Sequence, residues 1–169
     1  MTGVQTCALP IYYRIADPGV ARAIESLAPL LPPPSKVKLR SAASARLASA
    51  RTCYDHLAGE LGVRLTEALL ARGVLVDLGF QYQMAADKVG ELCAIGIEPR
   101  DHWKSPAGLI GRKCLDWTQR RHHLGGALGA TLAKEFFRAG WIQRNRGERA
   151  LLITSRGRSQ LKRHFAVSF

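Results

Sequence analysis

Leucines recur every fourth residue in two parts of this chain. Leu57, Leu61, Leu65 and Leu69 fall on one helical face, with Ala68 beside them, and Leu124, Leu128, Leu132 and Phe136 repeat the arrangement. Gly73 and Gly140 stand where each stripe stops, as C-cap glycines do. A third stripe, Val20, Ile24, Leu27 and Leu31, predicts a helix opened by Asp17 as N-cap with Pro18 in the first turn, and stopped by Pro32-Pro33-Pro34. Short apolar runs follow the two leucine helices. Val74-Leu75-Val76 and Phe80 to Met84 flank Asp77-Leu78-Gly79. Trp141 to Arg144 and Ala150 to Ile153 flank a stretch with Arg146-Gly147 as its turn, so a hairpin is predicted in each place. Ser41 is a candidate cap for a helix running through Arg51. Ala85 to Ala94 reads as a short helix, and Thr154 caps a last one through Phe165.

The two leucine helices belong to a longer repeat. His56-Leu57-Ala58-Gly59-Glu60-Leu61-Gly62 returns as His123-Leu124-Gly125-Gly126-Ala127-Leu128-Gly129, and the same offset of 67 residues places Leu65 on Leu132 and Gly73 on Gly140. Gly59, Gly62, Gly126 and Gly129 read as close-packing positions between helices; a dinucleotide fingerprint would need a preceding strand and a βαβ unit. Each copy reads helix, hairpin, helix. The expected fold class is therefore α+β, mainly helical, built of two degenerate winged-helix-like units. Residues 41–98 and 113–169 are the units, 32–40 a linker, and 99–112, with Pro99, Pro106, Gly108 and Gly111, a loop.

Charge narrows the partners. Lys and Arg number 25 against 13 Asp and Glu, for a formal +12. That excess favours a polyanion, DNA before membrane. Basic residues crowd the last third, where Arg144, Arg146 and Arg149 lie on the second hairpin and Arg120 and Arg121 precede the second helix. These five are the candidate phosphate contacts, against a plain solvated basic face. No apolar run approaches the roughly 18 residues of a spanning helix. The few scattered cysteines suit reduced thiols in a cytosol, so a cytoplasmic protein is expected. A hydrophobic content of 47% supports a real core.

Residues 1–11, Met1 to Ile11, resemble a translated short-read sequencing adapter and are set aside from fold reasoning as a tag would be. Cys53, Cys93 and Cys114 remain, and the natural chain is expected to begin further upstream.

Tyr12-Tyr13-Arg14-Ile15-Ala16-Asp17-Pro18, followed by an amphipathic helix, resembles the end of an ArsR/SmtB-type winged-helix repressor domain. Ala50 to Gly59 and Cys114 to Leu124 resemble the carboxy-terminal extension of a subgroup of these regulators. The resemblance implies that residues 12–31 are the last wing strand and the dimerisation helix. It also implies a homodimer acting as a transcriptional repressor, with DNA read mainly by a helix-turn-helix upstream. Metal sensors of this family often carry ligands on the dimer helix, yet Asp17 to Leu31 has neither His nor Cys.

Candidate chemistry gathers in two Cys-x-Asp stretches, Cys53-Tyr54-Asp55-His56 and Cys114-Leu115-Asp116-Trp117. Cys53 and His56, spaced i, i+3, are expected on one helical face. With Cys114 and His123 (or its neighbour His122) they could make a four-ligand thiolate–imidazole site, which zinc or a zinc-like ion would suit. The spacing matches no compact zinc finger. In the competing reading both cysteines are buried small apolar residues and both histidines are helix-start residues. A thiol sensor is a third reading, if Arg51, or Arg112 with Lys113, lowers a thiol pKa. Asp55 and Asp116 are better helix caps than an acid/base pair. No nucleophile motif or phosphate loop points to an enzyme. In the second copy six residues, Trp117 to His122, stand between Asp and His.

Overall fold

The computed structural model describes residues 16–27, 30, 32, 41–97, 109–145 and 148–169. The adapter-like segment, the expected strand at 12–15, Leu31, most of the proline-rich linker, residues 98–108 and the Arg146-Gly147 turn lie outside the described residues.

Helix α1 (Pro18–Leu27) is opened by Asp17, whose Oδ1 accepts from the Gly19 amide at 2.5 Å. Helix α2 (Ala42–Ser49) is opened by a capping box between Ser41 and Ser44. The chain turns extended at Ala50 and enters the hairpin β1 (Arg51–Cys53) and β2 (His56–Ala58). Strand β2 passes without a loop into α3 (Gly59–Ala71). The hairpin β3 (Leu75–Asp77) and β4 (Gln81–Met84) follows, then a 3-10 turn and α4 (Val89–Ala94). The second copy runs β5 (Ile110–Leu115), β6 (His122–Gly125), α5 (Gly126–Arg138), β7 (Ile142–Arg144), β8 (Leu151–Ile153) and α6 (Ser155–Phe165).

Each copy therefore begins with a hairpin that the leucine pattern concealed. The expectation of a mainly helical fold is corrected: among the described residues, eight antiparallel strands in three sheets give an α+β structure, about 49% helix and 24% strand. The copies also do not stand as two helix-hairpin-helix units side by side. One sheet runs β3-β4-β5-β6, so the second hairpin of one copy pairs with the first hairpin of the other. Strand β5 starts at Ile110, inside the stretch expected to be loop.

The concealment has a simple cause. Strands β1 and β2, of three residues each, are too short to show alternation, and the six residues of β5 begin in a stretch that Gly108 and Gly111 mark as loop. Leu57 and Leu124 lie on strands, but each stands four residues before a helical leucine and so extends the helical count. The direct strand-to-helix junction needs a left-handed residue, supplied by Gly59 at φ +76 and Gly126 at φ +72. Gly73 and Gly140, at φ +68 and +70, end α3 and α5 as the sequence predicts.

Glycines in the next turn set the packing. A Cβ on Gly62 would overlap the Leu57 carbonyl and sit 3.5 Å from the His123 Cβ. A Cβ on Gly129 would overlap the Leu124 carbonyl and sit 3.2 Å from the His56 Cβ. Each leucine helix thus lies against the first hairpin of the opposite copy, and these glycines serve helix-to-hairpin approach rather than the helix–helix contact expected. Thr66 adds a polar tie: its Oγ1 donates to the Gly62 carbonyl at 2.8 Å and accepts from the Leu124 amide at 2.9 Å. The two leucine stripes close one core with Phe136, Trp141 and Leu161. Full burial of each such side chain contributes about 1.5–3 kcal/mol. Trp117 is exposed, with the Arg51 guanidinium 4.8 Å from its ring centre.

Gly129→Ala should destabilise the fold by about 1–3 kcal/mol, because the new methyl meets backbone that cannot give way. Gly90→Ala, where nothing lies within 4 Å of the added Cβ, should be neutral or stabilising by up to about 1 kcal/mol. Urea denaturation of the two variants beside the parent measures both effects.

Candidate functional site

The two concealed hairpins carry the same residues in the same register. In β1–β2, Arg51 pairs with Ala58, Thr52 with Leu57 and Cys53 with His56. In β5–β6, Arg112 pairs with Gly125, Lys113 with Leu124 and Cys114 with His123. Each cysteine thus stands directly across a strand pair from a histidine, where opposed side chains share one face. This corrects the helical-face placement of Cys53 and His56. A two-residue turn joins the first pair, with Tyr54 at φ +56. The six extra residues of the second copy lengthen the turn between β5 and β6.

Because each helix packs on the opposite hairpin, the two Cys/His pairs meet. One donor atom from each of Cys53, His56, Cys114 and His123 lies within 4.8 Å of all the others. The two imidazole Nε2 atoms are 3.2 Å apart, with ring centroids at 5.1 Å. Both histidines and Cys114 are buried, while Cys53 is half-buried and opens the cluster to the surface. His122 lies on the exposed side of β6 and takes no part.

The electrostatics are those of closely packed polar groups out of water. Contact with the Cys114 thiol and burial push the Cys53 thiol up to about 12. That is opposite to the lowered value a thiol sensor would need at this position. Burial pulls the His56 pKa down, but the Asp55 carboxylate and Cys53 outweigh it and carry the group up to about 9. Asp55 Oδ1 lies 3.0 Å from His56 Nδ1. His123 Nδ1 has no hydrogen-bond partner, and Asp116 Oδ2 stands 3.7 Å from it. In both copies, then, the aspartate of Cys-x-Asp backs the outer nitrogen of the histidine, and the inner nitrogens converge. Two thiols and two imidazoles at one point form a donor set of the kind that holds thiophilic metal ions.

Asp116 does more than stand behind a histidine. It is fully buried, and its Oδ2 accepts from Arg51 Nη2 and from the Gly59 amide, each at 2.7 Å. Its Oδ1 accepts from the Thr118 amide at 2.8 Å, the Thr118 hydroxyl at 2.6 Å and the Gln119 amide at 2.9 Å. Burial works against this charge, yet the Thr118 and Gln119 bonds, Arg51 and the Gly59 amide hold the carboxyl down at about 2. Sequence reasoning took Asp116 for a cap of its own helix; it caps α3 of the opposite copy. Arg51, expected at a helix end or beside a reactive thiol, instead completes the network by donating to the Leu47 carbonyl at 3.0 Å and the Thr118 hydroxyl at 3.2 Å. Its recurrence as Arg112, two residues before the second cysteine, was the available clue.

The candidate phosphate contacts lie elsewhere and apart. Arg120, at φ +54, and Arg121 are in the long β5–β6 turn, and Arg121 pairs with Glu67 at 2.8 Å. Arg144 on β7 lies 5.0 Å from the Phe137 ring centre, and Arg149 donates to the Thr52 carbonyl at 3.2 Å. Arg146 is outside the described residues.

Among known proteins, the chain is 34% identical over 160 residues to the uncharacterized HTH-type transcriptional regulator YdfF of Bacillus subtilis (strain 168), spanning 92% of this chain and 69% of that protein. The chain belongs to the HTH-type transcriptional regulators. No family model and no solved structure matches it. Likeness to this regulator extends over nearly all of the chain, so the duplicated body with its Cys/His cluster lies within the shared region. No helix among the described residues of the regulator is long and apolar enough to cross a membrane.

Asp116→Ala in this regulator should cost about 3–5 kcal/mol, since it leaves the Arg51 guanidinium buried without a counter-charge. Glu67→Ala, which removes the exposed partner of Arg121, should cost less than about 1 kcal/mol. Chemical denaturation monitored by tryptophan fluorescence separates the two.

Proposed function

We propose that this chain is the dimerisation and regulatory part of a transcriptional repressor of the ArsR/SmtB type, acting in the cytoplasm as a homodimer on operator DNA. Its duplicated body takes up the regulating signal at the Cys/His cluster. The observation that carries this reading is the similarity to an HTH-type regulator along 92% of the chain. The ArsR type is supported by the Tyr12 to Pro18 stretch running into α1, and by the resemblance of both Cys-containing stretches to the extension of that family. Dimerisation through α1 is supported by its uncovered apolar face, where Val20, Ile24 and Leu27 are 51%, 55% and 57% exposed. A second copy of α1 is the occupant proposed. Signal uptake shifts the dimer between geometries that bind and do not bind the operator.

Sedimentation of the chain should give a dimer, and Ile24→Lys should convert it to a monomer without changing its circular dichroism. A monomeric parent removes the pairing role of α1. This chain alone should bind duplex DNA weakly, without sequence preference and with steep salt dependence, through its +12 charge and through Arg120, Arg121, Arg144, Arg146 and Arg149. A footprint showing tight, sequence-specific binding by the chain alone would overturn the assignment of operator reading to an upstream helix-turn-helix.

A further inference from the structure

We propose that Cys53, His56, Cys114 and His123 hold one thiophilic divalent cation of the zinc type in a tetrahedral shell of two sulfurs and two nitrogens, each copy of the repeat giving one of each. What occupancy does to the repressor rests on the regulatory reading above; the binding itself stands on the geometry alone.

Distance is the first argument. With metal–sulfur bonds of about 2.3 Å and metal–nitrogen bonds of about 2.0 Å, tetrahedral donors stand roughly 3.3–3.8 Å apart. The Nε2 pair is at 3.2 Å, and no separation within the cluster exceeds 4.8 Å. Closing the shell takes side-chain adjustments on the order of 1 Å, with no change of fold.

The imidazoles supply the second argument. Asp55 engages His56 Nδ1 and holds a proton there, so that Nε2 is the nitrogen that offers a lone pair once its own proton leaves. His123 has Asp116 on the same side. If it too carries its proton on Nδ1, two lone pairs point at each other across 3.2 Å. If it carries the proton on Nε2, a bare Nδ1 faces the Asp116 carboxylate at 3.7 Å with no donor, in a place closed to water. A proton or a cation between the Nε2 atoms resolves both conflicts, and the two sulfurs that stand beside the pair favour the cation. It takes both lone pairs and sets the His123 Nδ1 proton toward Asp116.

Charge is the third argument. A divalent ion with two thiolates and two neutral imidazoles sums to zero, as a water-poor site requires. On binding, each thiol passes its proton to solvent as its sulfur takes the metal, and a proton on His56 Nε2 leaves in the same way. The rival reading, in which the cysteines merely fill apolar space, gives no reason for both histidines to converge on them from opposite copies. Cys93 shows the contrast, being exposed and outside the cluster.

The test uses the whole chain, reduced, freed of metal, and carrying Cys7→Ser and Cys93→Ser so that only the cluster thiols remain. Cobalt(II) is titrated as an optical probe, then displaced by zinc. Expected are one equivalent per chain, the intense visible bands of tetrahedral cobalt, and a thiolate-to-cobalt charge-transfer band that falls by about half in Cys114→Ser. Asp55 is half-exposed at the hairpin turn, so Asp55→Asn should fold normally and still weaken zinc binding about tenfold to a hundredfold. The proposal is overturned if the folded chain gives no stoichiometric binding or the pale spectrum of six-coordinate cobalt, or if affinity ignores both substitutions. Quantitative formation of a Cys53–Cys114 disulfide in air, with no metal taken up by the reduced chain, would overturn it as well. Sedimentation with and without zinc separates the two layers. Binding with an unchanged dimer equilibrium keeps the metal site and removes its regulatory role. Absence of binding removes the site and leaves the α1 and DNA tests standing.

Discussion

One buried carboxylate ties the two halves of this protein together. Asp116 sits on the turn of the second copy, and it satisfies the first amide of α3 and the Arg51 guanidinium of the first copy. A buried ion pair rarely adds stability over an apolar replacement, but it fixes geometry because each partner is costly to leave alone. Arg51 extends the constraint to α2 through the Leu47 carbonyl, and a bridge from Arg51 to Ala150 brings in the segment before β8. This network helps to place β1–β2 against β5–β6, beside the close helix-to-hairpin approach at Gly62 and Gly129, and so helps to bring the four donor side chains together.

The repeat is a matched pair made unequal by its turns. Gly62 and Gly129 each give up a side chain so that a helix can approach the histidine of the opposite copy, which brings the imidazoles together across the junction. The first hairpin has a tight turn and leaves Asp55 half-exposed beside His56. The second has six more residues, enough to fold Thr118 and Gln119 back onto Asp116 and bury it completely. The same Cys-x-Asp lead therefore yields a surface carboxylate in one copy and a structural one in the other. The four donors therefore lie at the junction between the two halves.

Much was legible in the chain itself. The leucine stripes, the caps at Asp17, Ser41 and Thr154, the closing Gly73 and Gly140, and the two later hairpins all follow from local preferences that act over a few residues. So did the identity of the four clustered residues, because a repeat that carries the same reactive side chains twice is visible without coordinates. The leading hairpins were not legible. The three-residue strands β1 and β2 leave no period to detect, β5 begins inside a stretch punctuated by Pro and Gly, and Leu57 and Leu124 counterfeit one more helical turn. The small loss of helix to strand in these stretches kept the fold α+β but made it no longer mainly helical.

By itself, then, the sequence determined which segments are amphipathic, where they stop, and which side chains recur, since each of these is a property of neighbours in the chain. Only the tertiary structure decided that the sheet would run β3-β4-β5-β6 through both copies and that Asp116 would serve the opposite copy's helix. It also brought Cys53 and His56 to Cys114 and His123. Those are pairings between residues roughly thirty to seventy positions apart, chosen by burial and by the need of each buried polar group for a partner, and no local period encodes them.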